Sequence, residues 1–124
     1  MNRPGDTGAT PEITVETLHE RLVGDAADPA SSARVPTLQV VDVREGWEWT
    51  QGHIVGAAHI PLNELPARLG EIDPDRDIAF ICHLGGRSEM ATRFSRQQGL
   101  VRATNVLGGM DAWEARGYPV TSTD

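Results

Sequence analysis

One stretch of the chain carries residues suited to covalent chemistry. Cys82, the single cysteine, ends the apolar run Ile78-Ala79-Phe80-Ile81 and is followed by His83-Leu84-Gly85-Gly86-Arg87-Ser88. From about Ser88 to Gln98 the pattern is helical, with Met90, Ala91 and Phe94 predicted on one face and Arg93, Arg96 and Gln97 on the other. Gly99 then serves as a stop. This order puts Cys82 at the carboxyl end of a buried strand, in a tight loop that feeds a helix N-terminus. Successive N–H groups of residues 83–88 can turn inward there as an anion-binding nest, reinforced by the helix dipole. A thiol in that setting ionises more readily than a free one. Gly85 and Gly86 are expected to supply positive φ and to leave the loop centre open. The chemistry that fits is a nucleophilic sulfur in a cradle for an anionic group. The competing reading makes Cys82 a small, inert core hydrophobe.

Other residues carry weaker signals. Asp42 and Arg44 follow one strand's end and point to the same side of an extended chain. They are either acid and counter-ion in the site or a buried pair that, with Glu48, braces the loop. Sulfur chemistry needs no dedicated carboxylate base, so the bracing role is expected. The histidines are His19, His53, His59 and His83, and no two have the i,i+4 spacing of a helical metal site. With one cysteine there is no thiolate cluster either, so no metal is expected. His83, next to the nucleophile, either assists the thiol when protonated or is a spectator. Trp113 reads as packing, and Gly108-Gly109 is too short for a phosphate loop.

Composition bounds the rest. At 124 residues the chain suits one domain, expected over 12–120 between a flexible tail at 1–11 and a short one at 121–124. A formal charge of −7 argues against nucleic acid as a partner, and no apolar run approaches the ~20 residues that cross a bilayer. The absence of a secretory leader and of paired cysteines makes a cytoplasmic setting the expectation. Residues 82–102 nevertheless hold a local balance of +3, from Arg87, Arg93, Arg96 and Arg102 against Glu89. That is either a patch attractive to small anions or an ordinary solvated helix face.

The elements that must position Cys82 alternate. Strands are predicted at 13–15, 38–43, 58–60, 78–81 and 103–106. Helices are predicted after Thr14 or Thr17 and ending at Gly24, at Trp47–Trp49, over 62–69, over 88–98 and over 109–116. Residues 25–37, small, polar and with two prolines, form a surface loop. Such alternation implies right-handed crossovers and an α/β fold with a mostly parallel sheet covered on both faces, whose sites lie at the carboxyl ends of strands.

Cys82-His83-Leu84-Gly85-Gly86-Arg87-Ser88 resembles the C-x-x-G-x-R-S loop of single-domain rhodanese-like sulfurtransferases. Two flanking blocks agree with it. Asp42-Val43-Arg44, Trp47-Glu48, Gly52-His53-Ile54, Gly56-Ala57 and Ile60-Pro61 look like the family's upstream block. Val106-Leu107-Gly108-Gly109-Met110, Trp113, Gly117 and Pro119 look like its downstream one. The resemblance implies a central five-stranded sheet, Cys82 as catalytic residue, residues 83–88 around the substrate, and support from Asp42, Arg44, Glu48 and His53. It implies transfer of a sulfane sulfur from an anionic donor such as thiosulfate, through a Cys82 persulfide, to cyanide, a thiol or a protein sulfur carrier, without a cofactor. A cysteine phosphatase needs five residues between Cys and Arg, whereas His83, Leu84, Gly85 and Gly86 make four. The remaining alternative is a non-catalytic or redox-sensing module that binds a partner.

Overall fold

The computed structural model describes residues 9–27 and 36–123, so most of the expected 1–11 tail, the centre of the 25–37 loop and Asp124 lie outside the described residues. Five strands form one sheet: β1 (Glu12–Ile13), β2 (Leu38–Asp42), β3 (Ala58–His59), β4 (Asp77–Ile81) and β5 (Ala103–Val106). Their order is β1-β5-β4-β2-β3, and every pairing is parallel. The helices are α1 (Val15–Ala27), α2 (Gly46–Gln51), α3 (Leu65–Arg68), α4 (Gly86–Gln97) and α5 (Gly109–Ala115). The α/β architecture expected from the alternation is the one observed.

The strand sequences explain the layering. From Ile78 to Ile81 β4 is apolar without interruption, as a central strand buried on both faces must be. Alternation then divides it: Ala79 and Ile81 join Leu38, Val40 and Val106 in a core with Val15 and Leu18 of α1 and Met110 and Trp113 of α5. Ile78, Phe80 and Cys82 join Val41, Val43 and Ala103 in a second core with Leu65 of α3 and Ala91 of α4. Each face of the sheet thus has its own core, and Cys82 belongs to the one beneath α4.

Several element boundaries differ from the sequence expectation, each for a local reason. The first strand stops at Ile13 because the Thr14 hydroxyl accepts the Thr17 N–H at 3.1 Å and caps α1, which begins at Val15. Gly24 does not end α1; an isolated glycine costs a helix only about 1 kcal/mol. Val23 of α1 is exposed. The predicted helix over 62–69 is divided into a 3-10 turn at Leu62–Glu64, then α3, then a second turn at Leu69–Glu71. Pro66 lacks an N–H and is tolerated only in a helix's first turn, so the α-helical register restarts at Leu65. In α4 the buried face is Ser88, Ala91, Thr92 and Ser95, while Met90 is 61% exposed. Small side chains let the helix lie close on β4 and β5, and the long one turns outward.

Both ends of the described chain are docked. Thr10 is buried and its hydroxyl donates to Glu89, and Pro11 accepts the Asn105 N–H at 2.8 Å. At the other end Thr121 and His53 exchange backbone N–H···O bonds of 2.8 Å each.

Phe80→Ala should lower unfolding stability by about 3–5 kcal/mol, the range for emptying a closed aromatic site. Met90→Ala should stay within about 0.5 kcal/mol, as exposed substitutions do. Urea denaturation of the two variants checks the orientation assigned to α4.

Candidate active site

Cys82 leaves β4 on the α4 side of the sheet and is 1% exposed. Around its sulfur the chain closes into a tight ring. The Gly85 N–H points to Sγ at 3.1 Å, the Ser88 N–H at 3.4 Å and the Ser88 hydroxyl at 3.3 Å. Burial, the largest single influence, pushes the thiol up. The Ser88 hydroxyl and the amides of Ser88, Gly85 and Arg87 together overcome it and hold the thiol below the ordinary cysteine value. The α4 N-terminus adds its dipole in the same direction. A site so arranged stabilises sulfur that carries negative charge.

The ring depends on one glycine and on a neighbouring helix. Gly85, the residue before α4, has φ +120°, a conformation that L side chains rarely adopt. Gly86, also expected at positive φ, is instead the first residue of α4 with ordinary helical backbone. The reversal of the chain needs only one left-handed residue. Next, the N-terminus of α5 abuts the loop from behind: Met110 N–H donates to the Cys82 carbonyl at 2.8 Å and Asp111 N–H to the His83 carbonyl at 3.0 Å. These bonds fix the first two peptides of the loop, and the Gly85 and Ser88 amides further along it reach the sulfur. Gly109 makes the approach close enough, since a Cβ there would sit 2.4 Å from the Cys82 carbonyl oxygen and 2.6 Å from that of His83. Sequence reading dismissed Gly108-Gly109 as a phosphate loop and missed this clamp. The signal was present as paired glycines at a strand-to-helix junction, a position that marks close backbone approach.

Arg87 is fully engaged. Its two terminal nitrogens donate to the two oxygens of Glu48 on α2 at 2.7 and 2.8 Å, a bidentate pair. Glu48 also accepts the Glu45 N–H at 2.9 Å, so one carboxylate caps α2 and anchors α4. Its side chain is only 11% exposed. The Arg87 hydrogen bonds, opposed by burial and helped by the Glu45 amide, lower the Glu48 pKa to about 2. The guanidinium therefore braces the loop from outside, turned toward α2.

Asp42 and Arg44 form the expected buried pair, with Arg44 nitrogens 2.8–3.1 Å from the carboxylate. Arg44 also donates to the Gly52 carbonyl at 2.8 Å. This pair holds the end of α2, and through α2 the Glu48 that grips Arg87. His53 hydrogen-bonds the Trp49 carbonyl at 2.7 Å and stacks on the Trp49 ring, and His59 stacks against the same indole. Neither lies in the Cys82 ring. His83 and Leu84 are exposed at the mouth, and a cleft of about 320 Å³ opens beside it between His83, Glu114 and α2.

The basic patch suggested by residues 82–102 does not converge on the sulfur. Arg93 bonds Thr10 beside Glu89, Arg96 donates to the carbonyls of Val101 and Ala103, and Arg102 pairs with Asp77. Among the described residues no cluster of His, Cys, Asp and Glu could hold a metal, and no helix is long and apolar enough to cross a membrane.

Comparison with known proteins agrees with this fold. The family model described as "Rhodanese-like domain" matches residues 23–116. A sulfurtransferase of Allochromatium vinosum is 35% identical over 113 residues, covering 91% of this chain and 96% of that protein. YrkF of Bacillus subtilis is 35% identical over 111 residues, and the chain spans only 55% of its length. A rhodanese-related protein of Thermoplasma volcanium has a crystal structure that superposes with a TM-score of 0.77 at 31% identity, over 91% of this chain and 99% of that one.

Two outcomes follow from the bracing contacts. Gly109→Ala should push the Cys82 loop out of register and slow alkylation of the thiol at neutral pH about ten-fold, the equivalent of one pKa unit; timed iodoacetamide labelling measures it. Glu48→Gln should cost about 1–3 kcal/mol, toward the low end because Arg87 is a third exposed. The carboxylate's contribution is complete above its ordinary value of 4.5 and is lost as pH falls toward about 2. The stability gap between wild type and Glu48→Gln, from urea melts at successive pH values, should therefore be constant above pH ~5 and close below it.

Proposed function

Because this chain belongs to the rhodanese-like sulfurtransferase family, we propose that it moves a sulfane sulfur from an anionic donor of the thiosulfate type to a thiophilic acceptor through Cys82. The observation that carries this reading is the ring of three donors on Sγ, with the thiol held below its ordinary pKa. The thiolate attacks the donor's outer sulfur and forms a new S–S bond. The donor's own S–S bond breaks, and sulfite departs with the electron pair. The acceptor, cyanide in an assay or a thiol or protein sulfur carrier in a cell, then attacks the terminal sulfur of the persulfide and releases the Cys82 thiolate. Two displacements through a covalent intermediate give ping-pong kinetics.

Residues 83–88 enclose the substrate in this scheme. Leu84 and His83 form its mouth, while Gly85, Gly86 and Ser88 present backbone and hydroxyl donors. Arg87, committed to Glu48, keeps those donors in place. Asp42, Arg44 and His53 support the site at one remove, through α2. The thiosulfate class has support from a Shewanella oneidensis protein named thiosulfate sulfurtransferase GlpE, 32% identical over 77 residues, which is 62% of this chain. The thiol must stay reduced between turnovers, and a cytoplasmic setting suits that need. The intact ring argues against a module that only binds a partner, which would have no use for a stabilised thiolate, and the transfer assay separates the proposed activity from redox sensing.

Cys82→Ser should fold as the wild type does and lose thiosulfate:cyanide transfer entirely, with no 32 Da persulfide adduct by intact mass (the adduct being about one sulfur atom). The wild type should show transfer and no appreciable hydrolysis of an aryl phosphate. Cysteine-dependent phosphate hydrolysis without sulfur transfer would overturn the reading.

A further inference from the structure

We propose that Asn105 is a positioning residue of this site: its side-chain amide sets the direction in which Ser88 points its hydroxyl proton, and through Ser88 it supports the Cys82 thiolate. The inference rests on the sulfur-transfer reading and deepens it. Asn105 lies on β5 opposite Phe80, its backbone fixed by the bond from its N–H to Pro11. Strand alternation sends its side chain to the face shared by Ala103 and Phe80, under α4. There its amide meets the Ser88 Oγ at 2.6 Å, and that Oγ is 3.3 Å from Sγ. Ser88 is 0% exposed and Asn105 4%, so solvent does not substitute for either partner.

Counting protons makes the arrangement informative. The Ser88 hydroxyl has one proton and three acceptors in reach: Asn105 Oδ1, Cys82 Sγ and the Gly85 carbonyl at 3.2 Å. With the thiol protonated, S–H donates to Ser88 Oγ, whose own O–H donates a hydrogen bond to Asn105 Oδ1. When the proton leaves for solvent, sulfur can only accept, and the Ser88 hydroxyl must turn toward it. Oδ1 would then face a lone pair at 2.6 Å. A half-turn of the amide brings Nδ2–H to that position and restores a bond, giving a chain from Asn105 through Ser88 to the thiolate. Each link strengthens the next. Asparagine can serve both charge states because one end of its amide accepts and the other donates. The charged groups on the elements around this loop are Arg87 of α4 with its partner Glu48, Glu89, Arg93 and Arg96 further along α4, His83 of the loop itself, Asp42 and Arg44 at the end of β2, and Asp111 and Glu114 of α5. All of them remain unchanged when Asn105 is replaced.

The test compares pH-dependent alkylation by iodoacetamide in wild type, Asn105→Leu, Ser88→Ala and the double variant. Asn105→Leu, close in shape but without hydrogen bonds, should raise the thiol midpoint by about half a unit, roughly a three-fold loss of thiolate below the midpoint. In the Ser88→Ala background it should add nothing, because the link to sulfur is already cut. An unchanged midpoint, or the same increment with and without the Ser88 hydroxyl, overturns the proposal; a merely structural role would give the latter. In 15N-labelled wild type, which needs no variant to fold, the Asn105 side-chain NH2 resonances should titrate with the Cys82 midpoint. Resonances that do not move also overturn it. Wild-type thiosulfate:cyanide transfer is measured alongside: if it is absent, the sulfur-transfer reading falls and takes this role with it, and if it is present with no Asn105 effect, this inference alone falls.

Discussion

One close backbone approach holds the Cys82 loop, and the rest of the site depends on it. The N–H groups of Met110 and Asp111 hold the carbonyls of Cys82 and His83 outward. Further along the turn anchored in this way, the Gly85 and Ser88 amides converge on Sγ. Burying a thiolate against apolar strands is otherwise unfavourable, since a desolvated charge without partners reprotonates. The loop supplies partners from the backbone, whose direction is fixed once the turn is fixed. The cost lies in packing. α5 must come so near the loop that only glycine fits at position 109.

A second set of contacts keeps the turn from opening. Asp42 and Arg44 lock the end of α2 through the Gly52 carbonyl, Glu48 on that helix caps its start, and the same carboxylate grips Arg87 in the first turn of α4. Buried ion pairs are weak sources of net stability, because desolvation offsets their attraction. Their value here is geometric: the bidentate pair fixes α4 relative to α2, and with it the Ser88 N–H and hydroxyl.

The sheet and the place of Cys82 in it were legible because they rest on local signals. The uninterrupted apolar run before Cys82 marks a central strand, and the glycine turn after it marks a helix start. Partner choice was less legible. Asp42 and Arg44 declare a pair by their spacing, whereas Arg87 and Glu48 meet only because the first turns of α2 and α4 converge. Met90 was misassigned because helical periodicity cannot say which of two adjacent stripes is pressed against a sheet, and close packing favoured the small residues. Asn105 gave a signal that was overlooked, as a polar residue at a strand position whose alternation points inward. Such a residue has to find a hydrogen bond, and finding it leads to Ser88.

The same geometry bears on how an acidic chain could take the anionic donor proposed for it. The formal charge is −7, and the arginines at 44, 87, 93, 96 and 102 are all engaged with carboxylates, hydroxyls or carbonyls, so these five are not arranged as free cations for long-range attraction. Backbone amides and a helix start act at contact and fade within a turn's length. A field of that range favours charge only on an atom already seated at the centre. In the proposed cycle the negative charge is seated first on Cys82 Sγ and then on sulfur bonded to it, whereas the departing sulfite and the incoming acceptor pass outside the ring. Free arginines at the mouth would hold the product anion as well as the substrate, and turnover would suffer. Tying the arginines to Glu48, Asp42 and the chain's own carbonyls leaves the ring strong at its centre and weak at its edge.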